Sequence, residues 1–305
     1  MGLLLRTRPI LPAEFTVSTR LTWTAVQMLI RPLTTLAECR KVADLEKIVW
    51  SYADAEDVVP PAVLIVSIKR GGILLGAFDD AGEMKGFVYS IPAVKDGRSI
   101  QWSHMLGVTP DVRAGGLGLR LKLAQREQAM RMGIDLIEWT YDPLQALNAH
   151  LNFTRLGVVV EEYEENIYGQ SSSPLHQATP TDRFVAEWRL TTPHVERRLS
   201  APASPLMRDS TLMSSVLVNP SRITGEWLEP GNPALDADAS RRLLVEIPTG
   251  FTDMQVRRPD LALAWRMTTR NIFQTYFGRG FRVVDFFLAR EARRGQYLLA
   301  RHSDS

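Results

Sequence analysis

Hydrophobic and polar positions change period repeatedly along the chain from about Val26 onward. Alternation every second residue marks a half-buried strand, and recurrence every three to four residues marks one face of a helix. On that reading Val26–Leu33 is a strand, Leu36–Trp50 a helix, and Ala62–Ile68 a helix or a short strand. Ile73–Phe78 and Lys85–Ile91 are strands joined by the turn Asp79-Asp80-Ala81-Gly82. A further strand runs from about Ile100 to Val108, and Ile134–Tyr141 is another. Leu144–Leu156 follows as a helix stopped by Gly157, then Val158–Tyr163 and Phe184–Leu190 as strands.

Composition changes this picture at one place. Leu117 to Leu123 alternates like a strand, yet no Val, Ile, Thr or aromatic residue lies between Arg113 and Gly133, while Leu, Arg, Lys, Gln, Ala, Glu and Met fill the segment. Those are good helix formers and poor strand formers, so the segment is a helix from Leu117 to about Met132 with Gly133 stopping it. The unit is therefore strand, glycine-rich loop, helix. With antiparallel strands first and a crossover helix later, the fold class is α/β in the α+β sense, built on a mixed sheet.

At 305 residues and 45% hydrophobic content the chain can bury one large core or two modest ones, and two domains are expected. Residues 1–25 lack a clear period and form an N-terminal extension, 26–190 form the main domain, and 191–240 are a proline-rich connection. The C-terminal region, 241–305, reads as strand Leu243–Ile247, a helix from Asp260, as its cap, to Phe277, and strands Val283–Leu288 and Gln296–Ala300. Its strand-helix-strand order parallels Leu106–Tyr141 and admits an internal duplication.

The formal net charge of +2, with 36 basic residues spread among 34 acidic ones, argues against nucleic-acid binding. No apolar run is long enough to span a membrane. The leucine triplet of MGLLLRTRPILP is broken at once by Arg6 and Arg8, too short for a signal-peptide core, so a cytoplasmic location is the expectation. Cys39 is the sole cysteine and the histidines have no metal-ligand spacing, so neither a disulfide nor a metal is expected.

The loop Arg113-Ala114-Gly115-Gly116-Leu117-Gly118 carries the chemistry. A Walker loop would end in Gly-Lys-Ser/Thr, and a dinucleotide fingerprint would have glycine where Leu121 stands. Two readings stay open for these residues: a tight strand-to-helix turn with no ligand, and an Arg/Gln-x-x-Gly-x-Gly/Ala phosphate loop, which Arg113, Gly116 and Gly118 match and which resembles that of the GNAT N-acetyltransferases. Glycines let the main chain approach closely, successive N–H groups face one hollow, and the positive end of the following helix favours a diphosphate.

With Ile30-Arg31-Pro32-Leu33-Thr34 before a helix, Leu106–Arg113, and Asn148-Ala149 with Leu156-Gly157, residues 26–190 resemble the GNAT N-acetyltransferase family. The stretch Tyr141–Phe153 resembles a subgroup of predicted acetyltransferases. The resemblance implies a GNAT fold whose fourth and fifth strands splay apart, with the smaller C-terminal α/β region outside it. It implies acetyl-CoA (coenzyme A) as cofactor. It places Leu106, Gly107 and Val108 against the pantetheine arm, the Leu106 N–H on the thioester carbonyl, and Arg113, Ala114, Gly115, Gly116, Leu117 and Gly118 around the pyrophosphate. Asn148 lies two residues from the position of the family's helix asparagine.

Acyl transfer to an amine needs a base, because only the free amine attacks a thioester. His104, four residues before Val108, and Glu138, on the next strand, are the candidates. The family's tyrosine acid falls at Phe153, which holds no proton, and Tyr141 is the substitute, with Tyr163 and Tyr168 behind it. The function expected is direct acetyl transfer in a ternary complex to a small-molecule or peptide amine, with a homodimer left open. The alternative is a non-catalytic module that binds coenzyme A or acyl-CoA.

Overall fold

The computed structural model describes residues 28–50, 58–169, 179–200, 205–237 and 242–301. The N-terminal extension expected over 1–25, and His176 and His302, lie outside them. The chain opens with β1 (Leu29–Pro32), α1 (Leu36–Trp50) and α2 (Pro61–Lys69). α1 starts on a capping box in which Thr35 and Glu38 bond each other's backbone N–H groups at 3.1 and 3.2 Å. The segment that sequence left as helix or strand is a helix because Pro61 stands at its first position, with φ already fixed for it.

Three antiparallel strands follow, β2 (Ile73–Phe78), β3 (Met84–Lys95) and β4 (Arg98–Val108). β3 and β4 are longer than their apolar cores because Asp96-Gly97, both at positive φ, closes a two-residue hairpin between them. A 3-10 turn (Pro110–Gly115) leads into α3 (Leu117–Arg131) and β5 (Leu136–Tyr141). The helix expected over Leu144–Leu156 begins at α4 (Ala146–Ala149) and continues with π winding over His150–Leu156. Gly157, at φ +73°, then turns the chain into β6 (Val159–Glu164) and β7 (Arg183–Arg189).

The stretch 191–240 is more ordered than its prolines suggest. Pro193 and Pro205 are the first residues of α5 (Pro193–Ser200) and α6 (Pro205–Ser214), where a missing N–H costs nothing, and β8 (Val216–Leu217), β9 (Arg222–Thr224) and β10 (Trp227–Glu229) follow. The C-terminal elements are β11 (Leu243–Pro248), α7 (Phe251–Arg257), α8 (Pro259–Phe277), β12 (Phe281–Ala289) and β13 (Arg294–Arg301). Asp260 does not cap α8; its carboxylate is paired with Arg258 at 2.8 Å instead.

One eleven-stranded sheet runs through the molecule in the order β1-β2-β3-β4-β5-β7-β6-β12-β13-β11-β8. Its two parts meet where Val283 of β12 pairs with Val160 of β6. Within the C-terminal part β13 lies between β11 and β12, whereas β4 and β5 are direct neighbours, so the strand-helix-strand order is not a topological repeat. On one sheet face α3, the α4–π segment and α8 bury the main core, including Leu121, Trp139, Phe153, Phe184, Trp265 and Tyr297. α1 and α2 cover β2–β4 on the other face through Cys39, Val42, Leu64, Phe87 and Tyr89. No helix among the described residues is long and apolar enough to cross a membrane.

Candidate functional site

β4 and β5 run parallel but pair only at Gln101↔Ile137 and Trp102↔Glu138. Beyond that point they part, although β4 keeps its antiparallel partner β3 as far as Val108↔Gly86. The cause is a β-bulge. Ser103 pairs with Ser90 and Met105 with Tyr89, leaving His104 as the extra residue. A bulge bends its strand and increases the local twist, which turns β4 away from β5. From Ser103 to Val108 one edge of β4 therefore has no strand partner among the described residues. An open edge of this kind can receive an extended ligand carrying amide groups.

The glycine loop stands at the mouth of this opening. Thr109 anchors its start by donating its N–H and hydroxyl to the Lys85 carbonyl at 2.9 and 3.2 Å, and Asp111 pairs with Lys85 at 3.3 Å. Gly116 takes φ +74°, the left-handed region that suits a residue without Cβ, and precedes the first turn of α3. That turn has no acidic residue and no side-chain cap, so its backbone N–H groups are left for a ligand or water. A Cβ placed on Gly115 or Gly116 would meet no atom within 4 Å, so the space beside these glycines is open. Leu117 and Leu121, both buried, hold the helix head against Gly86 of β3 and fix where the amides point.

Sheet order, an opening after a bulge and a glycine loop at its mouth together settle the architecture. Residues 29–190 have the GNAT fold. Solved structures similar to the chain include a GNAT-family acetyltransferase from Streptococcus pneumoniae, with 16% identity, 53% of this chain and 98% of that one covered, and a TM-score of 0.43. An aminoglycoside 6'-acetyltransferase type Ii gives 19% identity, 54% and 98% coverage and a TM-score of 0.42. An N-acetyltransferase from Thermoplasma acidophilum in complex with coenzyme A gives 15% identity, 53% and 99% coverage and a TM-score of 0.38. No protein-family model and no curated protein matches the chain.

Within the GNAT half the expected site residues fall in four groups. Leu106, Gly107 and Val108 line the open edge, and Gly107 is required there because a Cβ would come within 2.7 Å of the Phe87 ring. Arg113 is exposed on the loop beside Ala114, Gly115 and Gly116, with Leu117 and Gly118 opening α3. His104 is exposed on the α1/α2 side of the sheet, its ring edge-on to Tyr89 at 6.2 Å. Surrounding protein displaces part of its hydration and lowers its pKa below the usual imidazole value.

The remaining three are not drawn into the opening. Glu138 is buried on the same face as His104, but Lys95 holds its carboxylate and also bonds Glu187 at 2.7 Å. The Tyr141 hydroxyl lies in the core near Phe184 and Tyr297, and burial, with Tyr297 beside it, pushes its pKa far above the usual phenol value. A proton held that firmly is a poor one to donate. Asn148 points outward and is exposed. Phe153 is fully buried, 5.7 Å from the Tyr297 ring.

One residue at the opening escapes a motif search. The buried face of α3 is Leu117, Leu121, Lys122, Gln125 and Ala129, so Lys122 enters the core in helical register. Projecting the segment at 3.6 residues per turn, rather than matching the loop alone, would have shown a lysine on the apolar face.

Proposed function

We propose that the chain transfers an acyl group from acetyl-CoA to an amine, with the thioester held where β4 and β5 part. The observation that carries this reading is the conjunction of an unpaired strand edge with an unobstructed glycine loop and an uncapped helix start at its end. Amides from Gly115 to Gly118 and the head of α3 suit a pyrophosphate, and the Leu106–Val108 edge suits the amide-bearing pantetheine arm. The cofactor supplies an activated acyl carbon; the chain supplies position and proton transfer.

His104 is the residue assigned to take the proton from the incoming amine, directly or through water. Its lowered pKa favours the neutral ring, and the side chain is exposed beside the unpaired edge of β4. Glu138 is set aside for this role because its carboxylate is already paired with Lys95. In calorimetry coenzyme A binds the wild type, and thiol release from acetyl-CoA across an amine panel identifies an acceptor. With that amine, His104→Ala lowers kcat about 100-fold and leaves coenzyme A binding unchanged. Absence of any heat with coenzyme A would defeat the reading.

A further inference from the structure

Lys122 is 2% exposed, and no carboxylate among the described residues pairs with it. Its Nζ donates to Ser103 Oγ at 2.9 Å and to Gln125 Oε1 at 3.1 Å, and stands 3.6 Å over the Trp139 ring. Ser103 belongs to β4 and Trp139 to β5, so the amine bridges the two strands beside the point where their pairing ends. A purely structural explanation is weak. Ser103 and Gln125 already bond one another at 3.1 and 3.3 Å, so neither needs the lysine to be satisfied. Burying an ammonium among neutral partners is costly, and an apolar side chain would fill the space at less expense.

We infer that Lys122 is the proton donor to the sulfur that leaves the thioester, acting from the α3 side of the opening while His104 works from the other side. The inference rests on the acyl-transfer reading above. Consecutive residues of β4 place the two groups: Ser103 faces α3, and the bulged His104 faces Tyr89. As the amine nitrogen bonds to the acyl carbon, the carbon–sulfur bond breaks and its electron pair goes to sulfur. An Nζ–H of Lys122 passes to that sulfur and His104 holds the proton lost by the amine; the proton His104 gives up to water balances the one Lys122 takes up when the products leave.

The other candidate donors are less suited. The Tyr141 hydroxyl has no partner among the described residues, but burial raises its pKa well above the usual phenol value. Phe153 has no proton, the Tyr163 hydroxyl donates to Asp182 at 2.6 Å, and Tyr168 is bonded to Thr140 at 2.8 Å. Desolvation lowers the Lys122 pKa below that of an exposed lysine, and the Trp139 face opposes it by favouring the charged form.

The test uses coenzyme A itself and needs no acceptor. Binding to wild type and Lys122→Met is measured first by calorimetry, and the ultraviolet absorbance of the thiolate then follows the bound thiol through a pH titration. An ammonium beside the sulfur stabilises the thiolate. The bound thiol in wild type titrates at least about one unit below free coenzyme A, and K122M abolishes that difference. A bound wild-type thiol that titrates with free coenzyme A overturns the inference without recourse to any variant. So does a lowered value that K122M retains. Failure of wild type to bind coenzyme A removes the acyl-transfer reading beneath it, a different result from binding without a thiol shift. With an amine that turns over, K122M lowers kcat about 100-fold at nearly constant KM for acetyl-CoA, and the fall of wild-type kcat at alkaline pH is absent from its profile.

Discussion

At the scale of single residues, Glu46 shows how one buried carboxyl sets a pH dependence unrelated to the chemistry at the opening. It lies on the buried face of α1, fully inaccessible, with one oxygen accepting the Val59 N–H at 3.0 Å and the other without a partner among the described residues. Burial raises its pKa from 4.5 to about 7, opposed by the bond from Val59. The folded state therefore binds the proton more tightly than the unfolded chain. Its contribution to stability is complete below about pH 4.5 and is lost as pH rises through 7. At about 1.4 kcal/mol per unit the swing is on the order of 3 kcal/mol. Denaturant melts from pH 4.5 to 8 should show wild-type stability falling across this window, and Glu46→Gln should flatten that component. An equal slope in both proteins would assign the dependence to other groups.

At the scale of elements, β4 does most to create the site, and its two essential features differ in how readable they are. Gly107 is visible as a glycine within an apolar strand, a known sign of close approach. The contact it permits is with Phe87, and Gly107→Ala should cost about 1–3 kcal/mol in chemical denaturation while narrowing the edge that faces β5. An unchanged midpoint would mean that the Phe87 ring moves aside freely. The bulge at His104, by contrast, exists only in the register of β4 against β3, and a one-residue offset leaves no mark in the sequence of either strand. The glycine loop and α3 were legible because local composition alone decides them. Alternation correctly placed Glu138 opposite Trp139, but its ion pair with Lys95 spans 43 residues and depends on the Asp96-Gly97 hairpin reaching back over the sheet. The same limit hid the π winding of His150–Leu156, since the pattern of apolar positions there fits an ordinary helix to within one residue.

At the scale of the whole molecule, the C-terminal elements share the GNAT half's sheet, and buried charge ties the two together. Arg266 of α8 is 1% exposed and grips Asp142, just past β5, through two bonds of 2.8 and 2.7 Å. Beside them Arg270 holds Asp182 at 2.9 and 2.7 Å, and the Tyr297 hydroxyl of β13 donates to the Pro143 carbonyl at 2.6 Å. α8 thereby fixes the end of β5, one wall of the opening. Burial works to raise the Asp142 pKa, but the Arg266 charge and hydrogen bonds, aided by Arg183 and the Leu144 N–H, hold it below the usual carboxylate range. Arg266→Met removes the principal compensation and leaves a buried carboxylate, a change that costs about 3–5 kcal/mol. The loss should be greatest at neutral pH and shrink in acid, because protonating Asp142 relieves the unpaired charge. The double variant Asp142→Asn/Arg266→Met should recover much of the stability at pH 7 for the same reason. Hydrogen exchange then discriminates between two architectures. If α8 and β5 form one cooperative unit, R266M accelerates exchange in both to the same degree; acceleration confined to α8 would show that the GNAT half holds its opening without help from the C-terminal strands.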